Sequence, residues 1–123
     1  MTEWHVPTQP DYHYRAKVVH IIDGDTAWCD VDVGFHSIRR TDFRFHGINA
    51  PEKSPDHAAW RAATDRVNQL MPEGSEVIVV STGIGKFGRW LGEFYPIAAD
   101  GSVATKSVNQ TLLDEGLAVA YDP

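Results

Sequence analysis

Residues 18–33 read VVHIIDGDTAWCDVDV, and no other stretch limits the fold as tightly. Two runs of strand-forming residues flank Asp23-Gly24, a dipeptide suited to the tight turn of a β-hairpin. Past the turn the pattern has a period of two. Ala27, Cys29, Val31 and Val33 fall on one face, and Thr26, Trp28, Asp30 and Asp32 on the other. That alternation predicts a half-buried strand. The hairpin also carries a carboxylate that a turn does not need: Asp25, expected at the first strand position, where β-propensity disfavours it.

The rest of the chain supplies partners for this hairpin. Residues 1–14 hold two prolines and no periodicity and are read as an N-terminal arm; residues 15–123 form one domain. Residues 15–22 are rich in Val and Ile and predict the first strand. After the hairpin, GFHSIRR reads as a loop, and residues 41–48 as a third strand with Phe43 and Phe45 inward. Pro51 and Pro55 punctuate the next loop. A helix is predicted over 56–70, capped by Ser54 with Pro55 at its first position. Its apolar stripe is Ala59, Ala63, Val67 and Leu70, with Trp60 alongside. Strands over 77–80 and 89–97 follow, separated by the glycine-rich loop TGIGKFG. A second helix spans 107–115 and stops at Gly116, before the extended LAVAY. Three strands, a helix, two strands and a helix suit a mainly β, α+β domain: a five-stranded OB-fold barrel with two helices. A four-stranded sheet with packed helices is the alternative.

Composition excludes several classes. The chain has 123 residues, 42% of them hydrophobic, enough for a real core and against bulk disorder. Its net charge of −6 argues against a protein held to nucleic acid by bulk charge, though not against a local basic site. A single cysteine, Cys29, cannot form an internal disulfide, and its inward position among Ala and Val marks it as core. No apolar run approaches the length of a membrane span, and no secretory signal is visible, so a cytoplasmic, monomeric protein without a membrane partner is expected. The six histidines form no metal-ligand spacing, and His46 reads as packing or a rim contact. TGIGKFG lacks the lysine–serine/threonine ending of a P-loop and leads into a strand.

The chemistry-bearing residues gather in four places. Asp25 follows the turn. FRFHGINAPE sets Arg44 on the polar face of a strand and Asn49 and Glu52 in the following loop. GKFGRW brings Lys86 and Arg89 beside glycines that let a ligand approach the backbone. Arg39 and Arg40 are adjacent and read first as a solvated loop, second as a pair contacting DNA. A carboxylate, an amide oxygen and backbone carbonyls are the hard donors that Ca²⁺ takes. Two arginines can clamp a phosphate through their planar forks. A glutamate near both can orient or deprotonate a water. Singly, each has a bland reading: a turn residue, a solvated strand arginine, a helix-start glutamate. Together they serve one reaction, hydrolysis of a phosphodiester.

VVHIIDGDT, FRFHGINAPE, GKFGRWLGEFY and VNQTLLDEGLAVAY, in this order and spacing, resemble the staphylococcal-nuclease (thermonuclease-like) family, most closely its bacterial and phage members. The resemblance runs over about residues 16–121. It implies an OB-fold barrel that cleaves DNA and RNA with Ca²⁺ and leaves a 3′-phosphate. By motif, Asp25 would be the main metal carboxylate, Asn49 and the carbonyl of Ala50 further ligands, Arg44 and Arg89 the phosphate clamps, and Glu52 the general base. Lys86, Phe87 and Tyr121 match positions that touch the nucleotide, and single-stranded substrate is expected. This chain departs from the family at Asn49, where a second carboxylate is expected, at Ala50 in place of threonine, and after Tyr121, where a long helix would follow. The loss of a charge at Asn49 predicts weaker Ca²⁺ binding. It also supports the rival reading, a non-catalytic nucleic-acid- or protein-binding module of the same fold.

Overall fold

The computed structural model describes residues 12–121. Five strands close into a barrel in the order β1-β2-β3-β6-β5, where β1 is His13–Asp23, β2 Thr26–Asp32, β3 Ile38–Phe45, β5 Glu76–Ile84 and β6 Trp90–Pro96. All neighbours are antiparallel except β3 and β6, which run parallel, and β5 closes on β1. A two-residue strand β4, Ile48–Asn49, pairs with β7, Val119–Ala120. Helix α1, His57–Leu70, packs on β1; α2, Val108–Asp114, packs on β6 and α1. The expected five-stranded barrel with two helices is the one that forms.

The alternation in β2 survives folding. Ala27, Cys29 and Val31 are buried, and only Val33, past the strand end, is exposed. In β3 the inward face is Thr41, Phe43 and Phe45. In β1, Ala16 and Val18 point inward and then Ile21 does, a shift of phase. A bulge at Val19 causes it: Val18 pairs with Cys29 and His20 with Trp28, so one residue of β1 is extra. Phe94 stands at the centre of the core, edge-on to Phe43 at 5.5 Å and tilted against Phe45 at 4.6 Å. Gly92 makes room for them; a Cβ there would lie 3.0 Å from both Phe43 and Val79.

Several boundaries differ from expectation. Most of the arm over 1–14 lies outside the described residues, while His13 and Tyr14 already pair with Val80 and Val79 in β1. Ile38, Arg39 and Arg40 belong to β3 and not to a loop. Cross-strand pairing holds them there, with Arg40 forked onto Asp30 at 2.9 and 3.0 Å. The third strand ends at Phe45, since Gly47 (φ +79°) turns the chain before β4. The cap of α1 is Asp56, whose side chain accepts from the Ala59 N–H at 3.0 Å, and not Ser54. Strand β5 continues through Thr82-Gly83-Ile84 into the supposed glycine loop, with a bulge between Ser81 and Gly83. The cap of α2 is Ser107 and its end is marked by Gly116 at φ +71°.

Candidate functional site

The β1–β2 turn is two residues long, because Asp23 pairs with Thr26. Asp25 is therefore the second turn residue and not the first of the strand. The Asp23 carboxylate accepts the Asp25 N–H at 3.1 Å, and the Asp25 carbonyl accepts the Phe45 N–H at 2.8 Å. Gly24 sits where nothing larger fits: a Cβ would lie 2.8 Å from the methyls of Ala50 and Ala63. The turn is thus wedged between helix α1 and the loop after β4. One carboxylate oxygen of Asp25, Oδ2, accepts the Ala50 N–H at 2.9 Å; the other accepts the Thr26 hydroxyl at 3.3 Å.

Arg44 reaches this carboxylate from β3. Its guanidinium pairs with Asp25, donates to the side-chain oxygen of Asn49, and donates to the Ile48 carbonyl at 3.3 Å. Only 13% of the Asp25 side chain and 25% of that of Arg44 are exposed, so the pair is poorly screened. Asp25 and Asn49 therefore turn their oxygens toward one point, now held by the guanidinium.

Burial pushes the Asp23 carboxyl up to about 6, and the hydrogen bond and charge of neighbouring Asp25 add to it. Two carboxylates crowd this turn, and that of Asp23 is the one pushed toward its protonated form. The sequence explains Asp23 by its turn role alone; the signal for more is its spacing of two from Asp25.

Glu52 lies past Pro51 on the exposed side, with no hydrogen-bond or ion-pair partner among the described residues. Its loop is fixed from behind. Lys53 Nζ lies 5.1 Å from the Trp60 ring centroid, His57 stacks on the same ring at 5.2 Å, and Asp56 caps the helix. Across from it, the turn at Lys86-Phe87-Gly88 uses Gly88 at φ +79° and is closed by the Gly85 N–H on the Arg89 carbonyl at 2.7 Å. Phe87 is 94% exposed. Arg89 approaches Asp42 at 3.7 Å, with both side chains well exposed, a pairing that a phosphate can displace. Tyr121 is brought in by the β4–β7 pairing and by its N–H on the Gly47 carbonyl at 2.9 Å.

These segments enclose one cleft of about 500 Å³. All nine positions that the family resemblance assigns to metal, phosphate, water or nucleotide line it: Asp25, Arg44, Asn49, Ala50, Glu52, Lys86, Phe87, Arg89 and Tyr121. Asp23, Thr26 and His46 line it too. Arg39 and Arg40 do not. Among the described residues no three His, Cys, Asp or Glu side chains cluster as a metal site. A cation here would depend on Asp25 and on neutral oxygens. The donor set fits a hard cation, because Asp25 and Asn49 already converge on a positive group, and it fits with less charge than two carboxylates would give.

Among curated proteins none matches the chain at a significant level. A family model, staphylococcal nuclease homologue, matches residues 42–123, which hold Arg44, Asn49, Glu52 and Arg89. With the barrel and the cleft as described, the chain belongs to the staphylococcal nuclease homologue family.

Proposed function

We propose that this chain is a Ca²⁺-dependent nuclease that hydrolyses phosphodiester bonds of DNA, RNA or both. The observation that carries this reading is convergence: the Asp25–Arg44–Asn49 group, the unpaired Glu52 and the displaceable Arg89 face one cleft. Asp25, the side-chain oxygen of Asn49 and the Ala50 carbonyl would hold Ca²⁺, which when bound supplies positive charge to the scissile phosphate. Arg44 and Arg89 grip the phosphate oxygens as negative charge builds on them. Arg44 is aimed from behind by the Ile48 carbonyl, and Arg89 gives up Asp42. Glu52 takes a proton from the attacking water as its oxygen bonds to phosphorus. On the opposite side the bond from phosphorus to the 5′ oxygen breaks, that oxygen takes up a proton, and a 3′-phosphate remains. Glu52 then returns its proton to solvent.

Lys86, Phe87 and Tyr121 would hold the flanking nucleotide. The Phe87 ring offers a stacking surface for an unpaired base, which favours single strands. Contacts to phosphate make base identity matter little. The acidic net charge and Asn49 favour the rival reading, a binding module without catalysis. Against it stands Glu52, a carboxylate on the cleft that has no hydrogen-bond or ion-pair partner among the described residues and is placed to activate a water.

The test is cleavage of heat-denatured DNA over a Ca²⁺ series from micromolar to tens of millimolar, with chelator controls and Glu52→Gln alongside. Turnover is expected to rise late in the series and to fall by about 10²–10⁴ with Glu52→Gln. Folded protein that cleaves nothing with Ca²⁺, Mn²⁺ or Mg²⁺, yet binds strands without metal, would establish the rival.

A further inference from the structure

Among the described residues the barrel interior is open at one end. Thr41, Phe43 and Phe45 are the inward face of β3, and two residues before Thr41 the same face carries Arg39. The neighbouring strands repeat the pattern. Arg39 pairs with Val31 on β2, Phe43 pairs with Trp90 on β6, Tyr14 pairs with Val79 on β5, and the Ser81 N–H bonds the Tyr12 carbonyl at 2.9 Å. Tyr12, Tyr14, Arg39, Ser81 and Trp90 are the next inward positions beyond the core residues Val31, Phe43 and Val79. Together they ring an open mouth of about 340 Å³, whose lining shares no residue with the cleft that holds Glu52. Trp90 follows Arg89 directly, but strand alternation sends the two side chains to opposite sides.

Two features of this mouth matter. Arg39 is exposed at its rim and has no carboxylate partner among the described residues. Its neighbour Arg40, on the outer face, is fully engaged by Asp30. The adjacent arginines therefore have different fates: one is structural and one is unspent. The second feature is the trio Tyr12, Tyr14 and Trp90. None of the three packs ring-to-ring with another aromatic among the described residues, although all border the same cavity. Flat rings around a gap, with a guanidinium at the rim, complement a planar ring joined to an anion. Barrel mouths are a recurrent place for such ligands, and the volume lies within the range of small-molecule sites.

We propose that the open barrel mouth is a second binding site, which takes a nucleotide, with the base against Tyr12, Tyr14 and Trp90 and the phosphate on Arg39. The site stands on its own residues and does not depend on catalysis in the other cleft. Its ligand is either a free mononucleotide or one nucleotide of a single strand.

The test is amide and indole NMR of the ¹⁵N-labelled chain. The probes are adenosine 5′-monophosphate, adenosine, ribose 5-phosphate and a single-stranded oligothymidylate. Saturable shifts are expected at the Trp90 indole N–H and at the amides of Tyr14, Arg39 and Ser81. Arg39→Gln and Tyr12→Ala, both at exposed side chains, are each expected to weaken them by about tenfold. Adenosine and ribose 5-phosphate, each lacking half of the ligand, are expected to bind about tenfold more weakly than the mononucleotide. Shifts with adenosine 5′-monophosphate identify a free nucleotide; shifts with the oligothymidylate alone identify a nucleotide within a strand. The proposal is overturned if neither shifts the mouth, if shifts arise only around Lys86 and Phe87, or if both variants leave the mouth shifts unchanged. The spectra report folding of each variant directly.

Discussion

Replacing Asn109 is expected to cost more stability than any other single polar change in the chain. Its side chain is 3% exposed and makes three hydrogen bonds from the first turn of α2. The side-chain oxygen accepts the Phe94 N–H at 3.2 Å; the amide donates to the Gly92 carbonyl at 3.1 Å and to the His46 carbonyl at 3.0 Å. The place explains the need. β3 pairs with β6 only from Phe43–Trp90 to Phe45–Gly92, and then turns away at Gly47. Past that point the edge of β6 has no strand, and Asn109 takes its place. Asn109→Ala removes three bonds, each worth about 1 kcal/mol net, and leaves the buried Phe94 N–H with no partner, which adds about 1–3 kcal/mol. The Gly92 carbonyl keeps the His46 N–H at 2.9 Å, so it is not orphaned. The expected loss is about 4–6 kcal/mol, a large part of the ~5–15 kcal/mol that holds a domain together. At about 4 °C per kcal/mol for a chain of this size, Tm falls by roughly 16–24 °C. Asn109→Asp tests the direction of the bonds. It keeps the acceptor, loses both donors, and faces a carboxylate with two carbonyl oxygens. That raises the carboxyl's folded-state pKa, so the deficit is full at pH 7 and shrinks as pH falls through that value. Urea unfolding followed by circular dichroism gives the free energies, and amide exchange at Phe94 reads the orphaned group locally. A loss below about 1 kcal/mol for Asn109→Ala, with an unchanged m-value, would refute the reasoning.

Three other perturbations follow from the same geometry. Gly24→Ala is expected to cost about 1–3 kcal/mol, because neither the Ala50 nor the Ala63 methyl can rotate away; Ala63→Gly in the same chain should recover part of it, and equal melting of single and double variants would count against the contact. Burial pushes the Cys29 thiol up to about 12, so the native state keeps a proton that the unfolded chain loses near 9. Stability is then complete below about pH 9 and falls by roughly 1.5 kcal/mol by pH 10; Cys29→Ala should abolish that slope in urea titrations, whatever its own packing cost. Asn49→Asp gives the cleft a second carboxylate beside Asp25, and about tenfold tighter Ca²⁺ would add roughly 1.4 kcal/mol to the stabilisation that Ca²⁺ provides. Calorimetric melts with and without Ca²⁺ read this without any cleavage assay, and no gain over the parent chain would place the cation elsewhere.

Much of this was legible in the chain because it lies in short, locally determined patterns. The period of two in β2 and β3 sets the inward residues. Most of the cleft residues sit in turns and loops whose glycines and prolines announce them, and Arg44 is marked by its place on the polar face of β3. What escaped has equally physical causes. β4 and β7 are two residues each, too short for any periodicity, and exist only because they pair with each other. Ile38, Arg39 and Arg40 are exposed, so no apolar pattern marks them as strand; ladder pairing with Asp32, Val31 and Asp30 does. Asp56 took the cap from Ser54 because α1 begins two residues after the proline instead of at it. Asp23 looked complete as a turn residue, and only the fold shows how closely its carboxylate is crowded by Asp25.

The parallel seam between β3 and β6 fixes how the cleft can change over time. Arg44 and Leu91 are register partners on that seam, and Arg89 leads into it. The gap between the two arginines is therefore counted in ladder steps and not in loop length. Residues can be gained or lost between Gly85 and Gly88 without moving Arg44, and the exposed turn around Phe87 is free to lengthen, shorten or change its chemistry. A single residue gained or lost between Arg89 and Gly92 has a different effect. It turns Trp90 and Leu91 to the wrong faces and carries Arg89 out of the cleft, so the pairing of the two arginines would be lost with the barrel still closed. The cleft's rim can drift in one half of this turn, while the spacing of the two cations is locked in the other.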